Sequence, residues 1–104
     1  MTVYRVVCVR KKRNGSDHKH IVSVGVTKDV RQDTPASVMS VARVRDAIEE
    51  QDVFLTIGPR TGRIALVEKF SCTRAGCAFL GIRSDPDRAK DNNLDDLDRC
   101  PGGA

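Results

Sequence analysis

VYRVVCVRKKRNGSDHKHIVSVGV, residues 3–26, is the stretch whose reading decides the fold. Its first eight residues are rich in β-branched side chains and apolar on both alternating faces, as in a strand covered on both sides. Residues 20–26 put Val22, Val24 and Val26 on one face of a second strand. Between the two lies Asn14-Gly15, a strong turn signal. The stretch predicts an antiparallel hairpin with a long, basic tip.

Working outward, Thr34-Pro35 reads as a helix start: a capping hydroxyl followed by proline at the first helical position. Steps of 100° to about Glu50 gather Val38, Val41, Val44 and Ile48 in one arc. Arg45 falls inside that arc, either snorkelling from its edge or pairing with a carboxylate. Residues 53–57 and 63–69 are two further strands around the glycine-bracketed turn Gly58-Pro-Arg-Thr-Gly62, and residues 77–83 (CAFLGIR) are a fifth. Asn93 can cap a short C-terminal helical turn, with Leu94 and Leu97 pinning it to the body. The predicted order is β-β-α-β-β-β. This is an α+β domain, an antiparallel sheet of about five strands with one helix packed on it.

Length predicts a single domain over residues 1–104, its last part (84–104) polar and partly irregular. A 31% charged and 39% apolar composition argues against disorder. No apolar run approaches the roughly 20 residues of a membrane span, and the N-terminus enters a strand pattern with Arg5 and Arg10, unlike a signal peptide. The expected compartment is the cytoplasm, with no membrane partner. There Cys8, Cys72, Cys77 and Cys100 are expected as thiols or metal ligands rather than disulfides.

Tyr4-Arg5-Val6-Val7-Cys8-Val9-Arg10, then Ile21 with Val24-Gly25, then Ala47-Ile48-Glu49, and a closing Asn92-Asn93-Leu94, Leu97 and Cys100 resemble one family. It comprises the small bacterial proteins grouped as domain of unknown function 3892. The resemblance spans roughly residues 4–100, and its closing Asn-Asn-Leu…Leu…Cys is the most distinctive part. This chain departs from the family's pattern in having Val26-Thr27-Lys28-Asp29 in place of a glycine-rich stretch, and Cys72 and Cys77 near the fifth strand. The resemblance implies a fold and no activity.

Charge narrows the function classes. The net charge is +4, yet residues 1–31 hold eight Lys/Arg against Asp17 and Asp29, while the rest of the chain is slightly acidic. Arg10, Lys11, Lys12, Arg13 and Lys19, with Arg60 and Arg63 at the other turn, could neutralise phosphates. The alternative is a hairpin tip kept soluble by charge. Tyr4, Phe54, Phe70 and Phe79 sit in strand-like or apolar contexts, so no stacking platform for single strands is evident. The expected partner is nucleic acid or an anionic protein surface. The rival expectation is a protein-interaction or homodimerising module that uses an open strand edge.

The remaining candidates are weaker. Cys72-x4-Cys77 flanks a hairpin turn and could hold zinc if Cys100, Cys8, His18 or His20 completed the set, but no second close pair exists, so no metal is expected. The acidic run Asp85, Asp87, Asp91, Asp95 and Asp96 lacks the central glycine of a calcium loop and has Ala89 at the third ligand position. His18 and His20 beside Asp17 read as solvated rather than as a general base. With no phosphate loop, nucleophile elbow or paired carboxylates, the expectation is a protein that binds rather than catalyses and needs no cofactor.

Overall fold

The computed structural model describes residues 1–13, 19–72, 77, 79–84, 94 and 97–101. In chain order the elements are β1 (Val3–Arg13), β2 (Lys19–Thr27), β3 (Ser37–Ser40), α1 (Val41–Glu49), β4 (Val53–Ile57), β5 (Ile64–Ser71) and β6 (Leu80–Ser84). One helix packs on a six-stranded sheet of order β3-β2-β1-β4-β5-β6. The strand count thus corrects the expected five. The purely antiparallel sheet is corrected too, because β1 and β4 pair in parallel through Val3↔Val53, Tyr4↔Phe54 and Arg5↔Leu55.

Both corrections have one cause. Residues 37–40 are not the first turn of a helix; they pair antiparallel with β2, from Ser23↔Ser40 to Val26↔Ser37. Strand β3 therefore runs with β1, and α1 carries the chain back before β4 begins, so β4 also runs with β1. Thr34-Pro35 leads into this edge strand, with the Ala36 N–H donating to Val26 O at 2.9 Å. The true cap is Ser40, whose Oγ accepts from the Arg43 N–H at 3.2 Å. Ser40→Ala is expected to cost about 1 kcal/mol in urea unfolding. Thr34→Ala is expected to change nothing, whereas a Thr34 cap would reverse the two results.

At its C-terminal end α1 closes in a Schellman motif. The Asp52 N–H donates to Ala47 O at 2.9 Å and the Gln51 N–H to Ile48 O at 3.0 Å, with Gln51 at φ 75°. Val41, Val44 and Ala47 are the buried stripe, and Ile48 packs at its edge. They belong to one core cluster with Val6, Val9, Val24, Val26, Phe54 and Val67 of the sheet. Val38, assigned by periodicity to the same stripe, is half exposed on β3. Arg45 neither snorkels nor meets a carboxylate: its Nη1 donates to Phe70 O at 3.1 Å and to Gly81 O at 2.7 Å. The helix is thereby tied to paired positions of β5 and β6.

Burial follows coverage. Strand β5 alternates, with Ala65 and Val67 inside and Ile64 and Leu66 exposed, as one solvated face dictates. In β4, Phe54, Leu55 and Thr56 are buried in succession, and so are Cys8 and Val9 in β1. Successive burial requires cover on both faces. Around Cys8 the second cover is the C-terminal segment. The Val9 N–H donates to Asp98 O and the Cys100 N–H to Val9 O, both at 3.0 Å, and Val9 pairs in parallel with Arg99.

Leu94 is fully buried, and the Leu97 N–H donates to Leu94 O at 3.4 Å. The rest of the expected C-terminal turn, the Asn14-Gly15 tip, His18 and the acidic run from Asp85 to Asp96 lie outside the described residues. Among the described residues no helix is long and apolar enough to cross a membrane.

Candidate functional site

The β1–β2 ribbon outruns its neighbours. Beyond the pairs with β4, β1 continues against β2 through Arg10↔Ser23, Lys11↔Ile21, Lys12↔His20 and Arg13↔Lys19. Lys11, Lys12 and Lys19 are exposed. Arg10 is not: it is half-buried, and its Nε is shielded from solvent without a hydrogen-bond partner. Arg60 and Arg63 stand at the β4–β5 turn, which is closed by the Gly58 N–H on Arg63 O and the Gly62 N–H on Gly58 O, both at 2.9 Å. Gly62 there has φ 70°, which favours glycine.

Two of the expected basic residues share a cleft with a third that sequence reasoning missed. A cleft of about 240 Å³ is lined by Val9, Lys11, Lys19, Leu97 and Arg99. Arg99 arrives there because the C-terminal segment lies along β1 at Val9. Arg60 and Arg63 do not line this cleft.

A covalent bond holds that segment in place. Cys8 and Cys100 form a disulfide, 92 residues apart in sequence and 4.8 Å apart at Cα. The expectation of four thiols or metal ligands is therefore corrected for this pair, and Cys100 leaves the set of candidate ligands. The expectation rested on compartment: such bonds persist in oxidising surroundings and are reduced in the thiol-buffered cytoplasm. Gly25, which pairs with Cys8, makes room for the bridge. A Cβ there would lie 2.3 Å from Cys8 Sγ, 2.8 Å from Pro35 Cβ and 3.2 Å from Cys100 Sγ.

The other two cysteines, which are not disulfide-bonded, meet a histidine. The β5–β6 hairpin closes with the Cys72 N–H on Phe79 O at 3.0 Å, so Cys72 stands at the mouth of its loop and Cys77 within it. From β2, His20 reaches across the curled sheet, where β2 touches β6. Its Nε2 stands 3.2 Å from Cys77 Sγ, and its ring stacks on Phe79 with centroids 4.3 Å apart. The ligand atoms of His20, Cys72 and Cys77 all lie within 4.8 Å of one another. His20 is buried rather than solvated, at 7% exposure, which corrects its reading as a loop-edge histidine. Sequence spacing paired Cys72 with Cys77; only the curl of the sheet selects His20 as the third member.

No curated protein and no solved structure matches the chain. A family match does cover it, over residues 5–98. It takes in β1 from Arg5 onward, the whole helix and strands β2 to β6, and stops before Arg99 and Cys100. The chain belongs to the family described as Protein of unknown function (DUF3892).

Proposed function

We propose that the protein is a small non-enzymatic binding module that takes a phosphate-bearing partner, nucleic acid first, in the cleft between its basic ribbon and its C-terminal segment. The observation that carries this reading is the convergence of Lys11, Lys19 and Arg99 on one cleft. Three cations from two distant parts of the chain share it. Lys12, exposed on the same ribbon, extends the basic surface. Contacts of this kind read backbone charge rather than base sequence, so duplex DNA or structured RNA suits the site better than single strands.

Fluorescence anisotropy with a labelled duplex at 50–200 mM salt tests the proposal. Three phosphate contacts give a slope of log affinity against log salt of about −2.7, which is roughly a 40-fold loss across that range. Lys19→Glu with Arg99→Glu is expected to weaken binding at least tenfold. Arg60→Glu, outside the cleft, is expected to leave it unchanged. Absence of binding at 50 mM salt, or binding indifferent to Lys19 and Arg99, overturns the reading. A concentration-dependent dimer in sedimentation without nucleic-acid affinity would instead favour the alternative, a homodimerising module.

A further inference from the structure

The geometry points to a metal site: we infer that His20, Cys72 and Cys77 bind one zinc ion, with water in the fourth position. It is a second site, distinct from the basic cleft and independent of whether that cleft takes nucleic acid.

Donor chemistry comes first. Two sulfurs and one imidazole nitrogen are the ligands that zinc takes in tetrahedral sites, at about 2.3 Å for sulfur and 2.0–2.1 Å for nitrogen. Tetrahedral angles then set the sulfur–sulfur separation at about 3.8 Å and sulfur–nitrogen at about 3.5 Å. The structure already holds His20 Nε2 at 3.2 Å from Cys77 Sγ, and the farthest of the three donors are within 4.8 Å. Side-chain rotations of about an ångström complete the set, with no change in the strands.

Second, the donors are built in. His20 is buried and its ring plane is fixed by the stack on Phe79, so its Nε2 is aimed rather than free to turn. Cys72 is fixed by its backbone bond to Phe79 at the hairpin end, and both cysteines are half-buried. Low exposure strengthens ligation and limits exchange with bulk water.

Third comes redox context. Where the Cys8–Cys100 bridge forms, two thiols as close as Cys72 and Cys77 would oxidise to each other unless held as metal thiolates. Zinc has no redox chemistry and keeps them reduced. Binding sends the two thiol protons to solvent, so affinity falls on acidification.

Such an ion would tie β2 to the β5–β6 hairpin. Those strands stand four places apart in the sheet and touch only because it curls. The ion would act as a clasp that fixes the curl over α1, with its fourth position left open to water.

Metal-stripped protein titrated with Zn²⁺, and with Co²⁺ as a spectroscopic probe, tests the site. The expected result is one equivalent per chain. Cobalt should give a thiolate charge-transfer band and visible tetrahedral bands, and Tm should rise by about 10 °C or more at a 100-fold excess of zinc over Kd. Cys72→Ser and Cys77→Ser should each remove the charge-transfer band of one thiolate and weaken binding at least tenfold. His20→Asn should weaken binding while leaving both thiolate contributions. C8A/C100A, which keeps only the site's two cysteines, should still bind one equivalent. That variant keeps the test decisive if a ligand substitution fails to fold. Substoichiometric zinc, tight binding that survives Cys72→Ser, or a Cys72–Cys77 disulfide in the isolated protein would overturn the inference.

Discussion

C8A/C100A is expected to lower the free energy of unfolding by about 2–5 kcal/mol, and Tm by about 10 °C or more. The bridge joins residues 92 apart, so it closes nearly the whole chain into one loop. In the chain-entropy account a loop of that length removes about 4–5 kcal/mol of freedom from the unfolded state. Native packing works in the same direction. Cys100 is 4% exposed and seals the face of β1 that α1 does not cover. Without the bond, the end of that segment is held to β1 by the two backbone hydrogen bonds at Val9, with Leu94 and Leu97 packed on the core before it. Urea unfolding of the oxidised, reduced and C8A/C100A proteins measures the effect. Coincident curves for all three would show that the bridge contributes nothing.

The same substitution reaches the basic cleft. Arg99 is adjacent to Cys100 and lines the cleft only while the segment lies along β1. Reduction is therefore expected to weaken polyanion binding about as much as Arg99→Glu, even where the protein stays folded. Stability and binding then share one covalent cause, and the two readouts separate it from a loss that follows general unfolding.

The elements that sequence reading located well are those whose signal is local. Strands β1 and β2 show in runs of β-branched residues, and β4 and β5 in two apolar runs about a glycine-bracketed turn. The residue that misled was Thr34: its hydroxyl before Pro35 imitates a cap, and Val38 fits the helical arc by spacing alone. Residues 37–40 are decided instead by the open edge of β2, which offers backbone partners that no local pattern records. One strand of four residues thereby set the direction of β4.

The sites divide in the same way. Lys11 and Lys19 were visible as charge, and Cys72 with Cys77 as spacing. Arg99 was not, and His20 was only one of four candidates to join the two cysteines, because each is brought to its cluster by contact between segments far apart in sequence. Arg10 illustrates the converse. It belongs to the most basic run of the chain, yet half-burial withdraws it from solvent, so sequence charge overstated the contact surface.

Gly25→Ala is expected to cost about 3 kcal/mol, at the upper end of what overpacking by one methyl exacts. The added Cβ would stand 2.3 Å from Cys8 Sγ and also 2.8 Å from Pro35 Cβ, so it meets two obstacles at once. Neither obstacle is the free end of a flexible chain: one sulfur is bonded to another, and the proline ring is rigid. The cost therefore depends on the bridge, and a double-mutant cycle reads that dependence. In the C8A/C100A background both sulfurs are gone while Pro35 Cβ remains, so Gly25→Ala is expected to cost at least about 1 kcal/mol less than in the intact protein. Additive costs would show that Gly25 is held by backbone demands alone. A coupling of the expected sign would establish that Cys8, Gly25 and Cys100 form a single unit. In that unit glycine is required because a disulfide occupies the space of its side chain, and the bridge in turn fixes the segment that carries Arg99.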